Sequence, residues 1–261
     1  MFIKQPLQQN RTSLKASLKA YYIAITFSPT WLGMFVNPFW LCRRELALAL
    51  ADMAPRLTGK VLDFGSGSQP YRPLLTNCAR YTSLEYDTPQ NRERKVADIF
   101  YNGQSIPAED NSFDGLLSTQ TLEHVPNPDV IVAEWARVLK DGGMLLITMP
   151  FMWPEHEMPY DFQRYSSGGL RLVLEKSGFE IVEQRRLLSD CRAPAQLFLA
   201  WIFDSVLAKC RPKALRFVLI PLMCTPISIL ASVLAVIFPK NSNTYLDNLV
   251  LARRNKTASE N

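Results

Sequence analysis

The chain has 261 residues, 48% of them apolar and 20% charged, and a net charge of +5. That balance excludes a disordered chain and implies one large packed domain, or one domain with an appendage. The basic surplus is small and its lysines and arginines do not interleave with aromatics on any one element, so no nucleic-acid partner is expected.

Residues 1–40 form a basic and aromatic lead-in. Leu14, Leu18, Tyr21 and Tyr22 fall near helical spacing with Lys15 and Lys19 between them. They suit either an amphipathic helix that meets membrane or covers the site, or an arm packed on the domain. Lys4, Arg11, Lys15 and Lys19 interrupt any apolar leader, so no secretory signal is expected. The five cysteines are odd in number and lack metal spacing, which fits a reducing, cytoplasmic compartment; no metal site is expected.

From residue 40 to 56, Leu41, Leu46, Leu48, Leu50 and Met53 read as a helix stopped by Pro55 and Gly59. The stretch from Lys60 to Tyr71 organises the rest of the chain. Val61 and Leu62 run into Asp63, and Gly65 and Gly67 flank Ser66: a buried strand ending in a turn whose backbone can approach a ligand. A dinucleotide site would place glycine at the sixth position of Gly-x-Gly-x-x-Gly, where this chain has Pro70. The acid at Asp63 suits a ligand with an ammonium group, and so S-adenosylmethionine.

After the turn, residues 71–79 read as a helix and 81–85 as a second strand. An acid at the end of such a strand can accept hydrogen bonds from two ribose hydroxyls, which points to Glu85, with Asp87 as the alternative. Residues 95–99, with Asp98 and Ile99, form a third edge; 113–118 a fourth strand; 129–139 a helix capped by Asp141, Gly142 and Gly143; and 144–149 a fifth strand ended by Pro150. Strands alternating with helices at this spacing argue a mostly parallel sheet, with ligands at the carboxyl ends of its strands.

With these pieces placed, the span from Trp40 to Arg186 resembles the class I S-adenosylmethionine-dependent methyltransferases, in particular the broad type-11 group and members from bacterial surface-polysaccharide loci. The matching pieces are Val61 to Gly67, Val96 to Ile99, Ile106-Pro107 with Asn111 to Asp114, Leu122 to Val125, and Glu134 to Gly143. The resemblance implies a Rossmann-like seven-stranded α/β sheet, mostly parallel with the last strand antiparallel. It also implies the cofactor roles. Asp63 orients the methionine amino group through Gly65, Ser66 and Gly67, and Glu85 takes the ribose. Asp98 takes the adenine amino group, Ile99 lends its amide and an apolar face, and Ser118 and Gln120 line the methionine side. The sequence Ser68-Gln69-Pro70 departs from the usual glycine followed by a helix.

Beyond the fifth strand, residues 150–166 are dense in aromatic and ionisable side chains and face the cofactor. An oxygen acceptor profits from a general base, and His156 has a suitable ordinary pKa, with Asp161 orienting it or acting itself. Arg164 suits an anionic group, with Tyr160 and Tyr165 beside the acceptor, although Asp161 and Arg164 can also simply pair to hold the loop over packed tyrosines. His124, after Leu122-Glu123, reads as structural.

A helix over 166–176 begins at Ser166 or Ser167, residues 178–183 form the sixth strand, and 245–251 supply the seventh. Between the last two, residues 217–239 carry no charged side chain. A single span conflicts with the return to the same sheet, and Pro221 and Pro226 are expected to break the run, which leaves an apolar helical hairpin with the stretch 193–209. It dips into one leaflet with Lys209, Arg211, Lys213 and Arg216 at the headgroups, or packs on the domain, closes a homodimer, or roofs the acceptor site.

The organisation expected is an arm (1–40), a core (41–186), the apolar insertion (187–240), the final strand (241–252) and a polar tail (253–261). The function expected is methyl transfer to a hydroxyl of a sugar or lipid-linked glycan at the cytoplasmic membrane face. The alternatives are a small prenylated or aromatic acceptor, and a non-catalytic scaffold that keeps the fold.

Overall fold

The computed structural model of the chain describes residues 26–27, 30–94 and 96–255. The arm residues from Leu14 to Tyr22, and Lys95, lie outside them. Seven strands form one sheet: β1 (Gly59–Phe64), β2 (Cys78–Tyr86), β3 (Ile99–Tyr101), β4 (Phe113–Thr119), β5 (Leu139–Pro150), β6 (Phe179–Leu187) and β7 (Asp247–Arg254). Their order is β3-β2-β1-β4-β5-β7-β6. The pairs from β3 across to β5 are parallel, and β7 runs antiparallel to both β5 and β6. This is the seven-stranded, Rossmann-like α/β arrangement that the sequence leads one to expect.

Alternate strand residues divide between two cores. Leu62, Phe64, Leu116 and Leu145 enter one, with Trp135 and Leu170 from helices; Val61, Leu117, Leu146 and Leu251 enter the other, with Leu50 and Met53. Both faces are therefore covered, which is why the central strands read as near-continuous apolar runs. Helix α1 (Trp40–Met53) covers the second face. A short α2 (Pro89–Arg94) links β2 to β3, and α3 (Pro128–Val138) and α4 (Ser167–Lys176) cover the first. Ser166 caps α4, its hydroxyl accepting from the Gly169 amide at 3.2 Å.

Local structure departs from the sequence expectation in three places. Residues 71–79 are not a helix: a 3-10 turn (Arg72–Leu74) follows the glycine loop, and β2 begins at Cys78. Pro73 inside the segment lacks the amide a helix interior needs, while Tyr71 and Leu75 are buried in the second core. Asp98 precedes β3 instead of lying within a strand over 95–99. Gly142 (φ +77°) does not cap α3; the helix ends at Val138, and Gly142 turns inside β5 near the register shift against β4.

The insertion is a helical hairpin, as expected. Helix α5 (Arg192–Ser205) packs against a continuous helical run α6 (Lys213–Ile237). Pro221 and Pro226 do not break it. A π-helical turn over Ile220–Cys224 accommodates Pro221 and its missing N–H, Pro226 falls in the first turn of the next segment, and the run continues as α-helix over Thr225–Ile237. The hairpin is fastened to the start of α1: the Thr225 hydroxyl donates to Met34 O at 3.0 Å and Gln196 Nε2 to Pro38 O at 3.1 Å, over a cluster of Trp40, Leu41, Leu199 and Ile220.

Candidate functional site

The turn after β1 is held in a form that only glycine enters freely. Gly65 (φ +71°) and Gly67 (φ +52°) both occupy the left-handed region, and a Cβ on Gly65 would lie 2.2 Å from Thr121 Cγ2. The amides of Gly65 and Ser66 donate to Leu84 O at 3.0 and 3.2 Å, which ties the loop to β2. The Gly67 amide donates to Glu85 Oε1, so the predicted glycine turn and the predicted ribose acid already meet. Asp87, the alternative acid, is instead paired with Arg92 (Nη2 to Oδ2, 2.6 Å).

Asp63 is buried and accepts a hydrogen bond from the Tyr81 hydroxyl at 2.6 Å. Burial pushes its carboxyl up to about 7, opposed by that hydrogen bond and helped by the nearby charge of Glu85. Such a carboxyl takes its charge readily only when a cation arrives. Asp98 is committed locally: its Oδ2 accepts from Ser83 N (2.8 Å) and Ser83 Oγ (2.7 Å), bonds that lower its pKa. Ile99 packs against the first core and lines a groove with Lys60, Thr82 and Phe113. Ser66 and Ser118 are buried, and neither hydroxyl has a partner among the described residues. Gln120 (φ +51°) leaves β4 with its amide donating to Thr148 O at 3.0 Å and its side chain reaching Thr148 Oγ1 and Asp247.

On the other side of that strand end, the loop after β5 folds over the turn Leu122–His124. Asp161 is the hub of this loop. Its side chain is 1% exposed and accepts from Arg164 Nη1 and Nη2, both at 2.6 Å, and from the His156 amide at 2.9 Å. The guanidinium holds the Asp161 carboxyl down to about 2, against its desolvation. The rest of the Arg164 fork goes to Trp153 O, Pro154 O and Gln163 O, so all its donors hold the loop. Tyr165 likewise donates to Gln163 and packs against the core, whereas Tyr160 is exposed.

His156 Nδ1 lies 3.2 Å from Asp161 Oδ2 and 3.3 Å from Pro154 O, and its ring meets that of His124 edge to face at 4.9 Å. His124 Nδ1 lies 2.7 Å from Tyr160 O. Beneath both is Glu123, fully buried, with neither carboxylate oxygen hydrogen-bonded among the described residues; burial pushes its pKa up to about 8. Ligand atoms from Glu123, His124 and His156 all lie within 4.8 Å of one another. Asp247 at the start of β7, also buried, has its pKa raised by burial to about 7.

Sequence reasoning places Asp161 and His156 together but misses Glu123 and Asp247, and treats His124 as structural. The signals were present: a Glu-His pair just after a strand end, and an acid at the start of the seventh strand.

Comparison with known proteins relates the chain to methyltransferases. Residues 62–147 match the model of a methyltransferase domain. A 24-methylenesterol C-methyltransferase of Arabidopsis thaliana is 30% identical over 196 residues, covering 64% of this chain and 54% of that protein. A probable S-adenosylmethionine-dependent methyltransferase of Mycolicibacterium smegmatis is 27% identical over 172 residues, covering 61% and 66%. The chain thus spans between about half and two thirds of the length of these relatives. Among solved structures, the cyclase SpnF superposes with a TM-score of 0.53 at 21% identity, over 82% of this chain and 84% of that one.

Proposed function

We propose that the chain is an S-adenosylmethionine-dependent methyltransferase and that it methylates a hydroxyl of a sugar or lipid-linked glycan at a membrane surface. The observation behind this reading is a juxtaposition. The glycine loop follows β1 and the His156–Asp161 pair follows β5, and between them, past the end of β4, lies Thr121, which touches Gly65 and leads into the turn that holds Glu123 and His124.

The residues present fit the cofactor. Two buried serine hydroxyls without partners, a left-handed turn with open space at Gly67, and acids at Asp63 and Glu85 suit an ammonium, a carboxylate and a ribose. Asp63 is assigned the amino group, acting through Gly65, Ser66 and Gly67; Glu85 the ribose; Asp98 and Ile99 the adenine; Ser118 and Gln120 the methionine side. When bound, the sulfonium supplies an electrophilic methyl, and the chain's task is in-line positioning and removal of the acceptor's proton. His156 is assigned that proton, because Asp161 behind Nδ1 favours the tautomer with Nε2 free. Asp161, saturated by Arg164 and the His156 amide, orients and is not the base. Arg164 braces the loop and Tyr165 packs against the core, leaving Tyr160 as the acceptor-side aromatic.

A purified sample should bind S-adenosylmethionine with a heat of titration near one site per chain. His156→Ala should lower kcat by about 100-fold with cofactor affinity within about threefold. No binding heat would sink the methyl-transfer reading, and unchanged kcat would remove His156 from the chemistry. A second reading is favoured by the sterol C-methyltransferase relative, whose name points to an apolar acceptor methylated at carbon. Labelled methyl recovered in a small prenylated or aromatic product, and not in a glycan, would select it.

The membrane location rests on the hairpin. Helix α6 runs 25 residues with a mean hydropathy of 2.3 in its most apolar window, yet only 28% of that window is buried. Phe217, Leu222, Val236 and Ile237 are each more than two thirds exposed, and Phe198 and Trp201 stack on the exposed side of α5. Leu187 at the end of β6 pairs with Asp247 at the start of β7, so the hairpin leaves and re-enters the sheet at one place and lies on or in one leaflet. Lys209, Arg211, Lys213 and Arg216 sit at its turn, and the five cysteines are all unpaired, in keeping with a cytoplasmic face. The chain should sediment with phosphatidylglycerol vesicles, and serine at Phe217, Leu222, Val236 and Ile237 should lower that partition at least about tenfold. Equal recovery in the supernatant for both forms would reject the membrane. A dimer that the same substitutions dissociate would give the face to a second copy instead.

A further inference from the structure

We propose that Glu123, His124 and His156 hold a divalent first-row cation, of the zinc or manganese kind, beside the acceptor. A metal-ligating histidine donates its second ring N–H to a carboxylate or a backbone carbonyl, which fixes the ring and leaves the other nitrogen free for the ion. Both histidines here are set in that way. His124 Nδ1 faces Tyr160 O at 2.7 Å, and His156 Nδ1 faces Asp161 Oδ2 at 3.2 Å and Pro154 O at 3.3 Å. Arg164 Nη2, 3.5 Å from His156 Nδ1, spends its hydrogens on Asp161 and Pro154 at shorter distances. The free nitrogen of His124, Nε2, stands 3.9 Å from Glu123 Oε1 and 3.9 Å from Glu157 Oε2.

Glu123 supplies the independent observation. Its carboxylate is wholly buried, has no hydrogen-bond partner among the described residues, and points at the imidazoles. A buried carboxylate without a partner is costly, and a cation is the partner that two imidazoles and a carboxylate can share with it. Around an ion with bonds of about 2.1 Å, ligand atoms stand roughly 3–4 Å apart. The three here lie within 4.8 Å, so small side-chain rotations close the set. The charge of Arg164 is answered by Asp161, so it does not oppose an ion at the cluster. Glu157, exposed at the rim, offers a fourth ligand. Three protein ligands with open positions match a site that also binds substrate oxygen.

The ion site stands whatever the reaction; its role at the acceptor rests on the methyl-transfer reading. There the acceptor hydroxyl binds the ion, and its O–H bond breaks with the proton leaving to solvent water. The oxygen then forms the bond to the methyl carbon while the carbon–sulfur pair stays on sulfur. With the ion bound, His156 serves as its ligand, and the ion takes over the activation of the hydroxyl that the free imidazole carries out when the ion is absent.

Chelator-treated protein, free of cofactor, should be titrated with Mn²⁺ followed by electron paramagnetic resonance and with Zn²⁺ by calorimetry. One site of micromolar affinity or better is expected. His124→Ala and His156→Ala should each weaken it at least about 100-fold, and Asp161→Asn, which acts through His156, about tenfold. Glu123→Gln keeps the volume of the buried side chain and should also lose the ion. Cofactor binding by the same samples reports that each variant is folded. No binding of either ion up to millimolar concentration overturns the site, as does binding that survives both histidine substitutions. Ion binding without methyl transfer would retain the site and reject the activity.

Discussion

Alanine in place of Gly65 should deprive the chain of S-adenosylmethionine, with Kd raised at least about 100-fold in calorimetry, or roughly 2.7 kcal/mol. Two effects combine. The residue holds φ +71°, where an L side chain costs about 1–2 kcal/mol. The new Cβ would also meet Thr121 at 2.2 Å from Cγ2 and 2.5 Å from Oγ1, so either the loop or the exit of β4 must shift. Thr121 leads directly into the Leu122–His124 turn, so the shift spreads to the acceptor side. Gly67 is the control. It shares the positive φ but has nothing within 4 Å of its Cβ position, so Gly67→Ala should show the backbone cost alone. If Thr121→Ala restores much of the affinity to Gly65→Ala, the clash is the cause. Wild-type affinity in the Gly65 variant would mean that the cofactor does not use this loop.

The second large effect is on stability. Arg164→Ala strips the partner from a carboxylate that is 1% exposed, and breaking a buried pair on one side costs about 3–5 kcal/mol. The denaturation midpoint in urea should fall accordingly, with the slope unchanged. The pH dependence carries its own signature. Arg164 holds Asp161 at about 2, below its unfolded value of about 3.9, so the pair's contribution is present above pH 4 and is lost as pH falls toward 2. In wild type that window should contain roughly 2–3 kcal/mol of stability from this group; in Arg164→Ala the slope should flatten or reverse. A urea midpoint within error of wild type would show that Asp161 is not the hub of the loop.

The strands were legible because their residues obey two constraints at once. Val61, Leu62 and Phe64, and Leu116 and Leu117, are apolar on both faces, as a covered parallel sheet demands, and the glycine turn punctuates them. The missed helix after that turn shows where local pattern fails. Tyr71 and Leu75 have helical spacing, but Pro73 removes an amide and burial of both side chains is achieved by one tight turn. Pro221 misled in the opposite sense, because neighbouring π-turn geometry absorbs its missing hydrogen bond.

At the candidate site, the places of Glu85 and His156, at and just past strand ends, were readable from sequence. The burial of Glu123 was not, since it depends on a fact of three dimensions: the loop after β5 closes over the Leu122–His124 turn and shuts the carboxylate away from water. Asp247 is the same case. Its strand was recognisable, but its approach to Gln120 follows from the antiparallel register between β5 and β7, which sequence spacing does not fix.

The pairing of Leu187 with Asp247 roots the hairpin beside Gln120, just past the end of β4 and so next to the candidate site. If the hairpin seats the chain on lipid as proposed, the height of that site above the bilayer is set by paired strands and not by a tether. Acceptors would be sorted by how far their reactive oxygen stands from the plane of the membrane. The chain would act as a ruler, methylating at a fixed elevation along a lipid-borne saccharide and passing over the same sugar presented nearer to or farther from its anchor.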